Sequence, residues 1–351
     1  MGAIVERTAV TRCYGRVSRD SAQRPTATTL FQVGSLAKTM TATLLALRAR
    51  DGKVRLGDPL RRYIPRADHA GQIPAALSLQ LVATLHSGMP RSTPVDNVAN
   101  FDEYLGLVGQ CEAAPGCAVG APGQNYVYSN FAYGVLGQAL GLHDGYRQSS
   151  YSAWEKDVRA NVTGPLGMPD TRSWFGWRAT APAEFDLRRA RALDGDPPRE
   201  AEPPYYPPAP YGDPAAGLYS TAADMLRWLS YSMGLIGTPK LDGARPLLYG
   251  TPRLIRPRES GDPRRAVGLA WDVDAYTDGA RETTCISKDG SARGFRANMV
   301  FVPDERRGAF VMLNSRPELV TSPEIASELI NSLPAAPRAA RAPGRCGVFT
   351  P

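Results

Sequence analysis

Hydrophobic and polar residues alternate near the two ends of the chain in a way that is typical of β-strands. Apolar runs at 3–5 and 9–14 flank a polar segment at 6–8, which predicts an N-terminal hairpin. Four runs in the last third, with a turn at 303–307 before the last of them, also predict strands: 267–273, 283–288, 297–302 and 308–314. Both ends of the chain are therefore expected to supply strands.

Between these regions the apolar residues follow helical spacing. The run 35–50 places Met40, Leu44 and Leu47 on one face of a helix, and Asp51-Gly52 predicts where that helix ends. Residues 60–210 are expected to be mostly helical with long irregular connections. Further helices are predicted at 131–142, at 151–162, after a capped start at 221–224, and at 323–333.

Two segments lack periodicity. The proline-rich stretch 194–214 predicts a long ordered loop, and the Ala/Pro/Arg-rich tail 336–351 predicts disorder. No internal repeat is visible.

The composition narrows the class of protein. The chain has 351 residues and a formal net charge of +7, but its arginines are scattered and form no nucleic-acid-binding motif. We therefore expect no nucleic-acid partner. No apolar run approaches the ~18 residues of a membrane span. The first residues show no signal peptide, so the protein is expected to be cytoplasmic if Met1 is its true start.

Cysteines and histidines give no metal signature. The five cysteines contain no C-x-x-C, and the three histidines form no metal-spaced cluster, so neither a metal nor another cofactor is predicted. Cys111 and Cys117 could close a small disulfide loop in an exported protein, or remain two free thiols.

Lysine is scarce, and one lysine occurs in a suggestive position. Of 41 basic residues only five are lysine, and Lys38 follows Ser35 by three residues, one helical turn away. Arginine cannot give up its proton in a protein, whereas a buried lysine can. Lys38 is therefore a candidate base that activates Ser35 as a nucleophile.

Two further short motifs accompany this pair. Tyr128-Ser129-Asn130 lies in the helical middle, and Lys288-Asp289-Gly290 lies on a late predicted strand. Each motif is weak alone, because such triplets arise often by chance. Their order and context carry the signal: the serine follows a strand and opens a helix, and the lysine motif precedes a hairpin and a final helix.

With these motifs the chain resembles the serine β-lactamase/penicillin-binding superfamily on its class C side. The resemblance runs from about residue 3 to 333, and within the superfamily it is most similar to the AmpH-type D-alanyl-D-alanine carboxypeptidase/endopeptidase subgroup. Four more stretches support it: 31–39, 85–90, 165–168 and 217–225.

The resemblance implies a role for each motif residue. Ser35 would be the acylated nucleophile, Lys38 would help to take its proton, and Tyr128 would shuttle a proton to the leaving group and later activate water.

The other positions would bind the substrate. Asn130 would hydrogen-bond Lys38 and the substrate amide, while Lys288 would tune Tyr128 and attract a substrate carboxylate. Backbone N–H groups of Ser35 and Ser291, the latter following Gly290, would form the oxyanion hole.

The chain departs from the family pattern in two places. Asp289 stands where the family usually has threonine, so it could repel an acidic substrate, point away, or pair with Arg293 or Arg296. The family's first helix is also absent from the start of this chain. An exported member would carry its signal peptide in that region, so the resemblance implies a periplasmic or secreted protein.

These observations predict an α/β (α+β) fold of β-lactamase/transpeptidase type, with an antiparallel sheet flanked by helices and a helical insertion. Residues 1–62 and 215–335 would form the sheet domain, and 63–214 the mainly helical domain. The predicted function is that of a monomeric serine hydrolase acting through a Ser35 acyl-enzyme on D-Ala-D-Ala-type peptides, including those of peptidoglycan, or on β-lactams.

Two alternatives remain open at this point. One is an esterase or biosynthetic transacylase that uses the same Ser35 acyl-enzyme. The other is a non-catalytic binding or sensor module, against which the intact Ser35, Lys38 and Tyr128 argue.

Overall fold

The computed structural model of the chain describes residues 1–64, 70–92, 98, 100–111, 120–143, 145, 153–194, 199–201, 210–250, 252–254, 264–278, 281–315 and 322–334. The predicted disordered tail 336–351 and the Cys111–Cys117 loop lie outside the residues whose side chains are described.

The β-strands concentrate at the two ends of the chain. They are β1 Gly2–Val5, β2 Thr8–Thr11, β3 Phe31–Gln32, β4 Arg172–Ser173, β5 Ala192–Asp194, β6 Arg199–Ala201, β7 Leu218–Ser220, β8 Arg253–Leu254, β9 Arg264–Val267, β10 Asp272–Asp278, β11 Arg281–Ala292, β12 Phe295–Val302 and β13 Arg307–Leu313.

The α-helices fill the middle and the C-terminal end of the chain. They are α1 Ala37–Arg50, α2 Leu79–Ala83, α3 Phe101–Cys111, α4 Asn130–His143, α5 Ala153–Val158, α6 Trp174–Thr180, α7 Pro182–Arg188, α8 Asp213–Ala216, α9 Ala222–Ser232, α10 Arg245–Tyr249 and α11 Ser322–Ser332.

Eight strands form one antiparallel sheet in the order β2-β1-β13-β12-β11-β10-β9-β8. The predicted N-terminal hairpin is confirmed, and β1 pairs with β13 in a register that sets Gly2 opposite Phe310. The two ends of the chain therefore meet in one sheet. The predicted hairpin turn at 303–307 is also confirmed, with Arg306 in the left-handed conformation.

The single strand predicted at 267–273 is wrong, because a tight turn divides it into β9 and β10. Ala270 has a φ of 71° in this turn, and the Gly268 N–H donates to the Trp271 carbonyl at 2.8 Å. The residues of this turn are apolar, as expected for a buried segment. Its N–H groups at Leu269 and Ala270 donate to carbonyls of neighbouring segments, so burial leaves them satisfied.

The helix predicted at 35–50 is confirmed in position, but its environment differs from the one-sided pattern. Residues 37 to 48 of α1 are buried on every side, including Thr41 and Arg48. The Thr41 hydroxyl donates to the Pro214 carbonyl at 2.8 Å, and Arg48 pairs with Asp157 at 2.5 Å. Because these polar groups have partners, α1 can lie in the middle of the core.

Other predicted elements are confirmed with changes at their ends. The Thr221 side chain caps α9 by accepting from the Asp224 N–H. In the stretch predicted at 151–162, α5 continues into a π-helical turn at Arg159–Thr163. The proline-rich stretch 194–214 is not a loop throughout, since β6 and the start of α8 lie within it; 195–198 and 202–209 lie outside the described residues.

The strands of the large sheet come from residues 2–11 and 253–313, whereas 63–214 supply mainly helices. The domain boundaries at 62/63 and 214/215 remain predictions.

Candidate active site

Ser35 lies at the junction between a short strand and the central helix. β3 leads into a 3₁₀ turn at Gly34–Leu36, and α1 follows directly. Gly34 has a φ of +55°, and a Cβ atom there would lie 2.6 Å from the backbone nitrogen of Ser291. Only glycine suits this position, because both the conformation and the close approach exclude a side chain. Ser35 itself is 7% exposed.

Lys38 is completely buried in the first turn of α1, with three oxygen atoms around its amine. Nζ donates to the Asn130 Oδ1 at 2.7 Å and to the Ala215 carbonyl at 2.8 Å, and it lies 3.2 Å from the Ser35 Oγ. A neutral amine has two N–H bonds and one lone pair. With both N–H bonds directed at carbonyl oxygens, the lone pair is left for the Ser35 hydroxyl.

The surroundings favour this neutral form. Burial lowers the pKa of Lys38 well below its ordinary value, and the positive charges of Lys288 and Arg91 lower it further, against an opposing effect of Asp289. The amine can therefore accept the Ser35 proton, which an arginine in this place could not do.

Tyr128, the first residue of the Tyr128-Ser129-Asn130 motif, also contacts the Ser35 hydroxyl. Its OH donates to the Ser35 Oγ at 2.5 Å. Burial raises the pKa of Tyr128, although Lys288, whose Nζ lies 5.3 Å from the ring centroid, acts in the opposite direction. The phenol is therefore protonated at neutral pH and is suited to donate a proton.

The Tyr128–Asn130 segment is held by backbone contacts at the start of α4. The Asn130 N–H donates to the Arg91 carbonyl at 2.8 Å. Ser129 caps the helix, since its Oγ accepts from the Ala132 N–H at 3.0 Å and donates to the Pro90 carbonyl. Because Ser129 provides the cap, the Asn130 side chain is available to accept the hydrogen bond from Lys38.

Lys288 lies on β11, is 1% exposed, and sits between two carboxylates. Its Nζ donates to the Asp289 Oδ1 at 3.1 Å and to the Asp272 Oδ2 at 3.4 Å. Burial alone would lower the pKa of Lys288, but Asp272 and Asp289 outweigh it and raise the pKa well above its ordinary value. Lys288 is a permanent cation, in contrast to Lys38.

Backbone contact joins the serine turn to the Lys288 motif. A Cβ atom on Gly290 would lie 2.0 Å from the Val33 carbonyl oxygen and 3.3 Å from the Ser35 nitrogen. Together with the approach of Gly34 to Ser291, this brings the N–H groups of Ser35 and Ser291 to one place. Two such donors could stabilise an oxyanion formed on a carbonyl attacked by Ser35.

Comparisons with known proteins identify the family and the fold. The family described as "Beta-lactamase" matches residues 4–329. The chain belongs to the β-lactamase family. Over 320 residues it is 27% identical to the D-alanyl-D-alanine-carboxypeptidase/endopeptidase AmpH of Escherichia coli strain K12. This match covers 88% of this chain and 77% of that protein.

Solved structures of similar proteins share the fold. "A class C beta-lactamase" superposes with a TM-score of 0.75 at 22% identity, covering 95% of this chain and 90% of that one. The D-alanine carboxypeptidase AmpC from Burkholderia cenocepacia gives a TM-score of 0.72 at 23% identity, covering 95% and 92%. The predicted class C-like resemblance and the antiparallel sheet with flanking helices are thus confirmed.

All seven residues predicted for the site lie around one point in this β-lactamase-family fold: Ser35, Lys38, Tyr128, Asn130, Lys288, Gly290 and Ser291. Sequence reasoning missed Asp272 and the Ala215 carbonyl. Asp272 carries no motif and begins a strand that the apolar pattern misplaced, and a backbone carbonyl leaves no signal in a residue's identity.

His86 is buried with its Nδ1 2.6 Å from the Thr84 carbonyl oxygen, in agreement with a structural role.

Replacing Gly290 by alanine is expected to reduce both stability and activity. The added methyl group would press on the Val33 carbonyl, and overpacking of this kind costs about 1–3 kcal/mol. The displaced backbone would also move the Ser35 N–H. Thermal unfolding and the rate of Ser35 acylation measure the two effects. Gly57→Ala is the matched control, because a Cβ atom there meets nothing within 4 Å; equal behaviour of the two variants would contradict the tight contact.

Proposed function

We propose that the protein is a serine hydrolase in which D-Ala-D-Ala-type peptides or β-lactams acylate Ser35. The observation that carries this proposal is the Lys38 amine, which has a lowered pKa and lies 3.2 Å from the Ser35 Oγ with its N–H bonds engaged elsewhere. The similarity to the AmpH carboxypeptidase/endopeptidase supports the choice of substrate class.

The acylation step follows from the hydrogen bonds around Ser35. The Ser35 proton passes to Lys38 as Oγ bonds to the substrate carbonyl carbon, and the N–H groups of Ser35 and Ser291 stabilise the oxyanion. When the tetrahedral intermediate collapses, the leaving nitrogen takes a proton from Tyr128. The Lys38 ammonium then returns a proton to Tyr128, so both side chains regain their starting states.

Hydrolysis of the acyl-enzyme reverses these roles. Water occupies the position that the leaving group vacated, and Tyr128 relays its proton towards Lys38 as the water oxygen bonds to the carbonyl carbon. As the bond between the carbonyl carbon and Ser35 Oγ breaks, Oγ takes a proton from the Lys38 ammonium, and the acid product departs.

A fluorescent penicillin is expected to label the protein covalently. Mass spectrometry should find the adduct on the peptide that contains Ser35, and Ser35→Ala should remove it. Ser332→Ala, an exposed serine on α11, is the control that should label normally. Absence of any adduct on folded protein, with penicillin and with a reactive ester, would overturn the proposal.

A second candidate is an esterase or transacylase that uses the same Ser35 acyl-enzyme. The acidic partners of Lys288 favour it, because they compensate the charge that would otherwise attract a substrate carboxylate. Turnover of p-nitrophenyl esters, or acyl transfer to an added amine, in the absence of peptidase and β-lactamase activity would identify this case.

The partner proposed is a small molecule or a peptidoglycan peptide, not a nucleic acid. None of the described helices is long and apolar enough to cross a membrane. A monomeric state and a periplasmic or secreted location remain predictions.

A further inference from the structure

We infer that Arg91 binds the carboxylate that a substrate carries on its leaving group and thereby favours leaving groups that have one. The inference rests on the proposed function, because it describes the substrate that acylates Ser35. In a D-Ala-D-Ala-type peptide the carbon attached to the scissile nitrogen carries a carboxylate, and in a penicillin the carbon attached to the lactam nitrogen carries one. Either substrate would be held by a cation beside the departing nitrogen.

Arg91 lies against the side chain that is proposed to protonate the leaving group. Its guanidinium carbon is 5.2 Å from the centroid of the Tyr128 ring, and the Tyr128 OH donates to the Ser35 Oγ at 2.5 Å. A leaving nitrogen that takes its proton from Tyr128 must be in contact with this phenol. The carboxylate on the next carbon is then within reach of a long arginine side chain that starts beside the same ring.

The basic side chains around this ring differ in what they already bind. Lys38 Nζ is 4.8 Å from the ring centroid and completely buried, and it donates to two carbonyl oxygens. Lys288 Nζ is 5.3 Å from the centroid and 1% exposed, and it donates to two carboxylates. Arg91 is exposed, and its guanidinium makes no hydrogen bond or ion pair with the residues that the structure describes. Its donors are therefore available to a substrate anion.

The backbone of Arg91 is fixed relative to Tyr128. The Arg91 carbonyl accepts from the Asn130 N–H at 2.8 Å, and the Pro90 carbonyl accepts from the Ser129 hydroxyl at 2.6 Å. Ser129 and Asn130 directly follow Tyr128, so the segment that carries the guanidinium is joined to the segment that carries the phenol. A cation on a fixed backbone loses less conformational freedom on binding an anion than a cation on a mobile one.

A guanidinium group has the right chemistry for this role. It stays positively charged over the pH range of the reaction, and its parallel N–H bonds match the two oxygens of a carboxylate. Because Arg91 is exposed, water and salt screen its charge. We therefore expect it to change kcat/KM by about tenfold, a factor that corresponds to about 1.4 kcal/mol.

Two esters that share one neutral acyl group test the inference. One is an ester of D-lactate and the other an ester of D-lactamide, so a carboxylate or a carboxamide lies one carbon from the leaving oxygen. The rate of alkaline hydrolysis of each ester corrects for its intrinsic reactivity. We expect Arg91→Gln to lower the ratio of corrected kcat/KM values, carboxylate over carboxamide, by about tenfold, with little change for the carboxamide ester.

The rate of covalent labelling by penicillin is a second measurement, which applies even if both esters react slowly. Arg91→Gln should slow this labelling by about tenfold, while labelling by the methyl ester of the same penicillin should change little. All rates are compared at a pH above the acidic limb of the pH profile. This precaution is needed because the charge of Arg91 also lowers the pKa of Lys38.

Two variants serve as controls. Arg91→Lys keeps a positive charge and should retain most of the wild-type ratio. Arg7→Gln makes the same substitution at an exposed arginine on the turn between β1 and β2, and it should leave the ratio unchanged. Thermal unfolding shows whether each variant is folded, and we expect Arg91→Gln to be folded because its side chain is exposed.

The outcomes separate this inference from the proposed function. An unchanged ratio in folded Arg91→Gln, with Ser35 still acylated, would overturn the inference and leave the proposed function in place. An equal loss for the carboxylate and carboxamide esters would also overturn it, because that result indicates a disturbed Tyr128 and not a lost carboxylate contact. Absence of any Ser35 adduct in wild-type protein with both esters and with penicillin, judged by mass spectrometry, would overturn the proposed function and the inference with it.

Discussion

Replacement of Ser35 by alanine is expected to abolish turnover, with a fall in kcat/KM on the order of 10⁴-fold or more. The side chain would supply the atom that bonds to the substrate: its Oγ lies 3.2 Å from the Lys38 Nζ and accepts a hydrogen bond from the Tyr128 OH. Initial rates with an ester substrate and intact-protein mass spectra measure the effect.

The variant should remain folded. Ser35 contributes only a small side chain, so the thermal unfolding temperature of the variant should stay close to that of the wild type. Ser332→Ala provides the comparison for a serine removed elsewhere. Turnover by Ser35→Ala within tenfold of the wild type would show that the nucleophile has been assigned to the wrong residue.

Replacement of Lys38 by arginine is expected to reduce kcat/KM by about 10²–10⁴-fold, because guanidinium cannot act as a base.

The wild-type protein should also show a pH dependence with a definite sign. Burial and the charge of Lys288 lower the pKa of Lys38, so the amine is neutral above that lowered pKa and protonated below it. kcat/KM should therefore fall as pH falls through the pKa of Lys38.

Two controls separate the chemistry from the fold. Lys53→Arg makes the same substitution at an exposed lysine and should leave activity unchanged. Lys38→Ala should lose the acidic limb of the pH profile and regain part of its activity with a small primary amine such as methylamine. Full activity of folded Lys38→Ala without an amine would contradict the role of Lys38 and favour a non-catalytic module.

The local part of the site could be predicted from the sequence. A strand followed by a helix that starts at a serine puts Ser35 and Lys38 on the same helical face, because residues three apart are neighbours on a helix. The scarcity of lysine added weight to Lys38. The N-terminal hairpin, the cap at Thr221 and the final helix were likewise predictable, since each depends on residues close together in the chain.

The non-local parts could not be predicted from spacing. Asp272 reaches Lys288 because β10 pairs with β11 around a buried turn that looked like a continuous strand. The sequence also left open whether Asp289 repels an acidic substrate, points away, or pairs with Arg293 or Arg296, and its contact with Lys288 is seen only in the structure. The apolar positions of α1 indicated one buried face, whereas burial on all sides follows from packing that only the assembled fold specifies.

The sequence by itself determined that a serine, a lysine and a tyrosine occur in an order along the chain that is typical of an acyl-enzyme hydrolase. This was possible because helix geometry and side-chain chemistry can be inferred from residues that lie only a few positions apart in the chain. Only the tertiary structure decided the protonation states, because burial, the Ala215 carbonyl and the charges of Asp272 and Lys288 come together from distant segments. These contacts lower the pKa of Lys38 and raise the pKa of Lys288, so the two lysines that look alike in the sequence differ in the folded protein.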